Sequence, residues 1–350
     1  PFLREWFDYL SFALSGLDAT GTISAAVVYT LGDLHREGSV LDYPVGGSEA
    51  VIEALSRGVA KHRGSEVRLR SRVKEIVVED GRAVGVRLDG RVLRAREAVI
   101  SNAPIWDTLG LVPETALATD HPWRLEHEQM VPTGSFTHMH LGIDGEGIPD
   151  DLDCHHSVVF DWKDGIEARE NMYIVSIPSL YDPGLAPPGK HVVHIYAAAN
   201  EPFEPWRNLD RRSEEYARRK NEAAEPLWKA LELIIPDIRA RAEVTLVGTP
   251  LTHQRFTNRF EGTYGPAGRR KRGDLDFLSP RTPVPGLLLC GDSCFPGIGV
   301  PSAAASGIIA AHSLVPVSQQ REKMDVMRKQ GTLAAGREWW REGSGPDQVF

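Results

Sequence analysis

The chain has 350 residues, of which 25% are charged and 41% hydrophobic, and its 40 basic residues against 48 acidic ones give a net charge of −8. This is the composition of an ordinary globular protein, and the length suggests about two domains. An acidic total argues against general nucleic-acid binding, which needs a concentrated basic face. The 3 cysteines are too few for a disulfide framework, which favours a reducing compartment.

The sequence contains no stretch of the roughly 18 uninterrupted apolar residues that a membrane-spanning helix needs. The longest candidate, residues 300–317, is interrupted by prolines, a glycine and a histidine. We therefore expect a soluble protein, or one that rests on a membrane surface. The chain begins at Pro1 with neither a basic leader nor a small-residue cleavage site, so we expect no signal peptide and a start inside a longer polypeptide.

Hydrophobic periodicity predicts helices and then short strands in the first third of the chain. The predicted helices are 2–15, 20–35 and 48–55. Strands separated by glycine turns are predicted at 67–69, 73–79, 83–88 and 92–94. A further strand, 98–100, ends at Ser101, and residues 113–129 are predicted to be helical.

From residue 133 the pattern changes to longer strands divided by turns rich in proline, glycine and aspartate. The predicted strands are 135–143, 157–162, 172–177 and 191–198. A long charged helix is predicted at 213–235. A buried, apolar strand is predicted at 286–292 and leads into a helix of small residues at 300–315. The charged tail 319–342 is predicted to be a surface helix.

The clearest candidate for a binding site runs from Leu289 to Val300, where an apolar strand passes through a glycine-rich turn into a helix. Gly291 lacks a Cβ, so its backbone can approach a ligand closely. Asp292 can accept hydrogen bonds from sugar-like hydroxyls, and free N–H groups after Gly299 can face a phosphate or a carbonyl. The combination suits a flavin dinucleotide, with Asp292 on its ribityl or pyrophosphate part. Glycines that only serve tight packing explain the segment equally well.

Four other positions are weaker candidates for cofactor contacts. Gly46 and Gly47 stand at a helix start, where the backbone can pass beside a flat ring, but a tight turn with Ser48 as N-cap explains them without a ligand. Val73 opens a strand whose backbone can bind an adenine edge, although a plain strand explains it too. Ser101 completes the set, at the end of strand 98–100.

A dinucleotide-binding fold is expected to contain Gly-x-Gly-x-x-Gly between its first strand and helix, and this sequence lacks it. Gly297-Ile298-Gly299 fails because Val-Pro-Ser follows. Either the chain binds no dinucleotide, or the loop lies in a segment that precedes Pro1. We expect the second.

The histidines raise the question of a metal. His138 and His140 are two residues apart on a predicted strand and therefore project from one face, and Cys154 and His156 follow nearby. Together they could hold zinc, but none of the usual zinc spacings is present, so no metal site is predicted.

The cysteines and the hydrolase motifs give no catalytic residue. Cys290 and Cys294 are separated by three residues, not the two of a thioredoxin-type pair. We expect Cys290 in the strand core and Cys294 to be the more exposed thiol. Gly-x-Ser-x-Gly is absent, and no catalytic residue is assigned.

Eight segments together resemble one family. They are Tyr43–Gly47, His138–Asp144, His155-His156 with Asp161-Trp162, Val175–Ser179, Asp182–His191, Gly248–His253, Gly262–Pro266 and Gly291–Gly297. Their sequences are similar to those of the carotenoid cis–trans isomerases (prolycopene isomerases) of plants and cyanobacteria. These enzymes are relatives of phytoene desaturases and retinol saturases among the amine-oxidase-like flavoproteins. The resemblance extends over nearly all of residues 1–315.

The resemblance implies an α/β fold of the FAD/NAD(P)-binding Rossmann-like type with an α+β substrate part. It divides the chain into an FAD domain (44–105 and 284–316), a substrate domain (1–43 and 106–283) and a charged tail (317–350). The cofactor would be FAD, and the Rossmann glycines would lie in an N-terminal FAD-binding segment before Pro1. Without that segment we expect FAD to bind poorly.

The implied reaction is cis–trans isomerisation of a long apolar polyene, a carotenoid, in which reduced flavin lends electrons or a hydride and takes them back with no net redox change. Segments 1–43 and 133–200 would line an apolar tunnel that opens toward a membrane. The implied location is the periphery of a plastid (chloroplast) membrane in a eukaryote, or otherwise the cytoplasmic membrane surface. The alternatives are a desaturase, a retinol saturase-type oxidoreductase, or a non-catalytic subunit that binds pigment or a protein complex.

Overall fold

A computed structural model of the chain describes residues 2–15, 18–22, 24, 27–28, 31–32, 35–36, 43–197, 200–267 and 278–331. Within these residues the strands form three sheets, of three, two and five strands. None of the helices among these described residues is both long and apolar enough to cross a membrane.

In the first part of the chain, the bounds of two helices and of a small antiparallel sheet are described. The helices are α1 (Phe2–Ser15) and α2 (Gly47–Ala60). They are followed by β1 (Glu75–Glu79), β2 (Arg82–Leu88) and β3 (Arg91–Arg94), paired in that order. Glycines with positive φ form the turns between these strands, Gly81 and Gly90 both at +73°, because an L residue with a side chain rarely adopts that conformation.

Two strands that are far apart in sequence form a short parallel sheet. They are β4 (Val99–Ser101) and β10 (Leu287–Leu289). The helices α3 (Ile105–Leu111) and α4 (Pro122–Glu128) follow β4. A buried cluster joins this region to the small antiparallel sheet: Ile76, Ala83, Ile105, Leu109, Val112, Leu117, Leu278, Val284, Leu287, Leu289 and Cys294. This cluster contains residues on both sides of the predicted domain boundary at residue 105. The division of the chain into domains stays a prediction.

The largest sheet is antiparallel and has the order β6-β7-β8-β5-β9. Its strands are β5 (His138–Asp144), β6 (His155–Val159), β7 (Met172–Ser176), β8 (Lys190–Ala197) and β9 (Ala242–Gly248). One face carries the apolar residues of β5, β7 and β8 that alternate with polar ones. The helices α5 (Glu214–Glu232) and α6 (Ile238–Arg241) cover this face, and Leu227, Leu231 and Ile238 are buried against it.

The opposite side of this sheet, here called the open face, carries different side chains. In an antiparallel pair, residues directly opposite each other project from the same face. His140 of β5 is opposite His194 of β8 and Leu246 of β9, and His138 is opposite Tyr196. The open face is therefore a mixture of imidazole, aromatic and aliphatic groups, and Leu246 is 62% exposed.

Three further helices follow β9 in the described chain. α7 (Pro250–Thr257) follows β9, α8 (Val300–His312) follows the turn after β10, and α9 (Val317–Lys329) comes last. Within α9 the structure has no buried residue, as predicted for a surface helix. Residues 332–350 of the predicted tail lie outside the described residues.

The sequence predictions and the structure differ in four places. Residues 67–69 form no strand, and the predicted helix 113–129 is helical only in α4. Both α3 and the β9–α7 unit lie in segments to which the sequence analysis assigned no element. In the predicted helix 20–35, residues 24, 27–28 and 31–32 are helical, whereas 23, 25–26, 29–30 and 33–34 lie outside the described residues.

Candidate functional site

The turn after β10 lies beside the end of β4. Because the two strands are parallel, their carboxyl ends meet at one edge, the place where open α/β sheets bind ligands. The backbone N–H of Cys290 donates to the carbonyl of Ser101, at 2.9 Å. Of the predicted cofactor contacts, Ser101, Gly291, Asp292, Gly299 and Val300 thus belong to this edge and the turn that leaves it.

Gly291 approaches its own protein closely. Its φ is +95°, and a Cβ built on it would lie 2.5 Å from Oδ1 of Asn102. The N–H of Gly291 donates to Oγ of Ser306 on α8, at 2.7 Å. The glycine therefore lets the turn fit between the end of β4 and α8.

Asp292 forms an ion pair with the side chain of Arg259. A carboxylate oxygen of Asp292 lies 2.5 Å from Nη2 of Arg259, and both side chains are mostly buried. Gly265 packs against Asp292, because a Cβ on Gly265 would lie 3.5 Å from the Cβ of Asp292. The ion pair fixes the orientation of the carboxylate, which still has lone pairs for a further donor.

The start of α8 faces open space. Gly299, the N-cap, has φ of +103°, and no atom lies within 4 Å of a Cβ built on it. No side chain caps the helix, and Val300 is 78% exposed. The free N–H groups of this turn can therefore receive an electron-rich oxygen from outside the described protein. In this respect the turn fits a flavin carbonyl or a phosphate.

The remaining predicted contacts lie in other surroundings. The N–H of Gly46 donates to Oδ2 of Asp182, at 2.9 Å, and a Cβ on Gly47 would lie 3.3 Å from the side chain of Leu185. The turn before α2 is thus fastened to the loop between β7 and β8. Val73 is half-buried just ahead of β1. The hydroxyl of Ser101 is engaged inside the protein, 2.7 Å from that of Thr108.

Four imidazole rings gather on and beside the open face. One ring nitrogen from each of His138, His140 and His194 lies within 4.8 Å of the other two. The rings of His140 and His194 are stacked, with centroids 4.1 Å apart and planes 6° from parallel. The ring of His253, on α7, lies 4.5 Å from that of His138.

A glycine makes room for this group, here called the histidine cluster (His138, His140, His194 and His253). Gly248 is opposite His138 in the sheet, and a Cβ there would lie 1.8 Å from Nε2 of His138. The Nε2 atoms of His194 and His253 are buried without a hydrogen-bond partner. Buried ring nitrogens without partners are uncommon, because no hydrogen bond compensates the free-energy cost of their desolvation.

The histidine cluster is uncharged at neutral pH. Burial and the neighbouring imidazoles lower the pKa of His138 to about 3. Burial, together with His140 and His253, lowers the pKa of His194 to about 4. Burial also lowers the pKa of His140 and of His253. Neutral imidazole is the form that ligates metal ions.

The four residues considered from sequence as a zinc set, and not predicted to form one, do not all lie together in the structure. His138 and His140 do lie together, but the third member is His194. His156 Nε2 bonds to the carbonyl of Asp153, at 2.7 Å, and Cys154 is buried.

The expected order of exposure of the other two cysteines is also reversed. Cys294 is buried and Cys290 half-buried, because Cys294 turns into the apolar cluster beneath β10. Burial, with smaller effects of Cys290 and Asp292, raises the pKa of Cys294 to about 12. Such a thiol is not a reactive one.

Sequence reasoning did not find Arg259, His194 or His253. Arg259 is close to Asp292 through folding alone. The alternating pattern of β8 places His194 on a strand, but its position opposite His140 depends on the pairing of two strands about 50 residues apart. No local signal in the sequence gives that register.

The class of protein is given by the match to a known family. Residues 1–315 match the family of flavin-containing amine oxidoreductases, and the chain belongs to that family. This confirms the predicted family and fold class. An oxidoreductase from Methanosarcina mazei has the same fold, with a TM-score of 0.61, at 20% identity over 89% of this chain and 64% of that one.

Among the family members, the chain is similar to two plant proteins. It is 37% identical over 318 residues to the chloroplastic prolycopene isomerase of Arabidopsis thaliana, matching 89% of this chain and 51% of that protein. It is 35% identical to the chloroplastic prolycopene isomerase of Daucus carota, matching 89% and 50%. The chain thus spans about half the length of these relatives.

Proposed function

We propose that the chain forms part of an FAD-dependent carotenoid cis–trans isomerase. The observation that carries the proposal is the glycine turn that leads from β10 to an uncapped helix start, with Gly299 and Val300 facing open space. The similarity to plant prolycopene isomerases supports the choice of reaction. Bound there, FAD would supply electrons that lower the order of a polyene double bond and then recover them.

Each residue of the turn has a distinct part in this proposal. Asp292, oriented by Arg259, accepts hydrogen bonds from the polyol or ribose hydroxyls of the cofactor. The N–H groups after Gly299 donate to its electron-rich oxygens. Gly46, Gly47, Val73 and Ser101 remain proposed contacts through their backbone, and no catalytic residue is assigned.

The open face supports an apolar polyene as the substrate. The ring of Phe136 lies 5.9 Å from that of Tyr196 and 5.0 Å from that of Tyr264. Beyond these rings the open face continues with Val244 and Leu246, which are 52% and 62% exposed. A long conjugated chain packs favourably on such aromatic and aliphatic groups.

We also propose a location at the surface of a plastid membrane. The two plant relatives are named chloroplastic. Helix α1 exposes Phe2, Leu3, Trp6 and Phe7, and an aromatic, apolar helix surface of this kind binds at the membrane interface. The carotenoid would pass from the lipid to the protein there.

The test uses the full-length gene product loaded with FAD, in liposomes that contain a poly-cis carotenoid, under anaerobic conditions with and without reductant. Chromatography follows the isomers and mass spectrometry follows the mass. We expect conversion to trans isomers at unchanged mass, dependent on reduced FAD. A loss of two hydrogens would indicate a desaturase and a gain of two a saturase. Bound carotenoid that stays unchanged would indicate a binding subunit. Each of these three results would overturn the proposal.

A further inference from the structure

We propose that His138, His140 and His194 form a binding site for a divalent transition-metal ion of the zinc type on the open face of the five-stranded sheet. The site lies on the same open face that the proposed function assigns to the polyene, but the inference rests on neither FAD nor the carotenoid. It depends on side chains of β5 and β8 that the structure brings together.

The spacing of the ring nitrogens is close to what an ion requires. Tetrahedral zinc with Zn–N bonds of about 2.0–2.1 Å places its ligand nitrogens about 3.4 Å apart. The three nitrogens here are within 4.8 Å of one another, so they need to approach by roughly 1.4 Å or less. Imidazole is a preferred ligand of Zn²⁺, Ni²⁺ and Cu²⁺.

The stacked pair must rearrange for this to happen. An ion lies near the plane of each imidazole that binds it, whereas the rings of His140 and His194 are parallel. Rotation of one ring about its side-chain bonds brings both lone pairs toward a common point. His140 is exposed and has room for this rotation. The stack is therefore expected to open when metal binds.

The free energy of the metal-free cluster also favours an added ligand. Nε2 of His194 is buried with no hydrogen-bond partner, and so is Nε2 of His253 beside the group. An ion satisfies a ring nitrogen that is otherwise desolvated without compensation. His253, whose ring lies 4.5 Å from that of His138, is placed to complete the surroundings of the ion.

Chelator-treated, tag-free full-length protein is titrated with Zn²⁺ by calorimetry, and bound zinc is counted by elemental analysis after gel filtration. We expect one ion per chain. His140→Gln and His194→Gln should each weaken binding by at least about 100-fold, since loss of an outer hydrogen-bond partner alone costs about 10–100-fold. His62→Gln, an exposed histidine outside the cluster, is the matched control and should bind as the wild type does.

A measurement on the wild type keeps the test valid if a variant does not fold. Zn²⁺ should shift the imidazole ¹⁵N resonances of His138, His140 and His194 and leave that of His62 in place. Absence of binding to the wild type, or wild-type affinity in both folded variants, would overturn the proposal. Shifts confined to other histidines would do the same.

Discussion

The residue after Cys290 shows how much a single position constrains this molecule. Gly291 combines a φ of +95° with a backbone so close to Asn102 that a Cβ would lie 2.5 Å from Oδ1 of that side chain. An alanine there is strained by the backbone and by the contact. The turn that faces the proposed cofactor therefore depends on glycine for its own packing.

We expect Gly291→Ala to lower the free energy of unfolding by about 1–3 kcal/mol or more, the cost of a residue forced into a sparsely populated conformation. Urea denaturation of the full-length gene product measures it. Gly58→Ala is the control, because Gly58 lies inside α2 with nothing within 4 Å of an added Cβ. It should raise stability by about 0.5–1 kcal/mol. Equal effects of the two substitutions would show that the turn is not constrained.

A second residue, Tyr173, makes the folding stability depend on pH in the alkaline range. Burial, and then the nearby charges of Glu170 and Glu201, raise the pKa of Tyr173 above its usual value of 10.0. Above pH 10 the unfolded chain loses this proton and the folded one retains it, so stability falls as pH rises. Stability from this group is complete below that pH.

We expect Tyr173→Phe to reduce the loss of stability between pH 9 and pH 11, on the order of one ionising group. The measurement is the urea midpoint at several pH values. The same substitution at the exposed Tyr181 is the comparison. A Tyr173→Phe protein with the same pH slope as the wild type would mean that Tyr173 ionises equally in both states.

Among the elements, α5 packs along the apolar face of the large sheet. Its apolar side, with Leu227, Ala230 and Leu231, is buried on β5, β7 and β8. Its start is defined by Ser213, whose Oγ accepts a hydrogen bond from the N–H of Tyr216, at 3.1 Å. The cap and the apolar periodicity are both local features of the sequence and need no tertiary contact.

Ser213→Ala should therefore lower the free energy of unfolding by about 1 kcal/mol, through loss of the cap. Ser213→Asp should retain most of the stability, because Asp is also a good N-cap and favours a helix start. Chemical denaturation monitored by circular dichroism compares the two. Wild-type stability in Ser213→Ala would contradict the assignment of Ser213 as the cap.

The same element illustrates what the sequence can predict. α5 has a cap, a repeat of apolar residues and sufficient length, all local, and its bounds agree with the prediction to within a few residues. β9 differs, since most of its residues are exposed at the edge of the sheet and only pairing with β5 makes it a strand. α3 is only one short helix of seven residues after Pro104, too short for a periodic signal.

The same distinction between local features and long-range pairing applies to the candidate sites. The glycine turn after β10 was predictable because its strand, glycines and helix are contiguous in sequence. The histidine cluster was not, because His194 and His253 join His138 and His140 only through strand register and the docking of α7. The cysteines were assigned wrongly for a related reason, since burial at Cys294 depends on packing from residues 76–117.

At the scale of the whole molecule, the proposed function uses two surfaces that lack partners in the part of the chain that the structure describes. One is the start of α8, where Val300 is exposed and no side chain caps the helix. The other is the open face of the five-stranded sheet, with its exposed aliphatic groups. The proposed function assigns a flavin to the first and a polyene to the second.

The most direct test is the equilibrium binding of FAD to the full-length gene product, followed by flavin fluorescence. We predict that the wild type binds FAD and that Asp292→Ala weakens binding by about 10–100-fold, the loss of hydrogen bonds to a charged group. Asp89→Ala, in an exposed hairpin turn, should leave the affinity unchanged. A wild type that binds no FAD, or an Asp292→Ala protein with unaltered affinity, would contradict the assignment of this turn to a flavin.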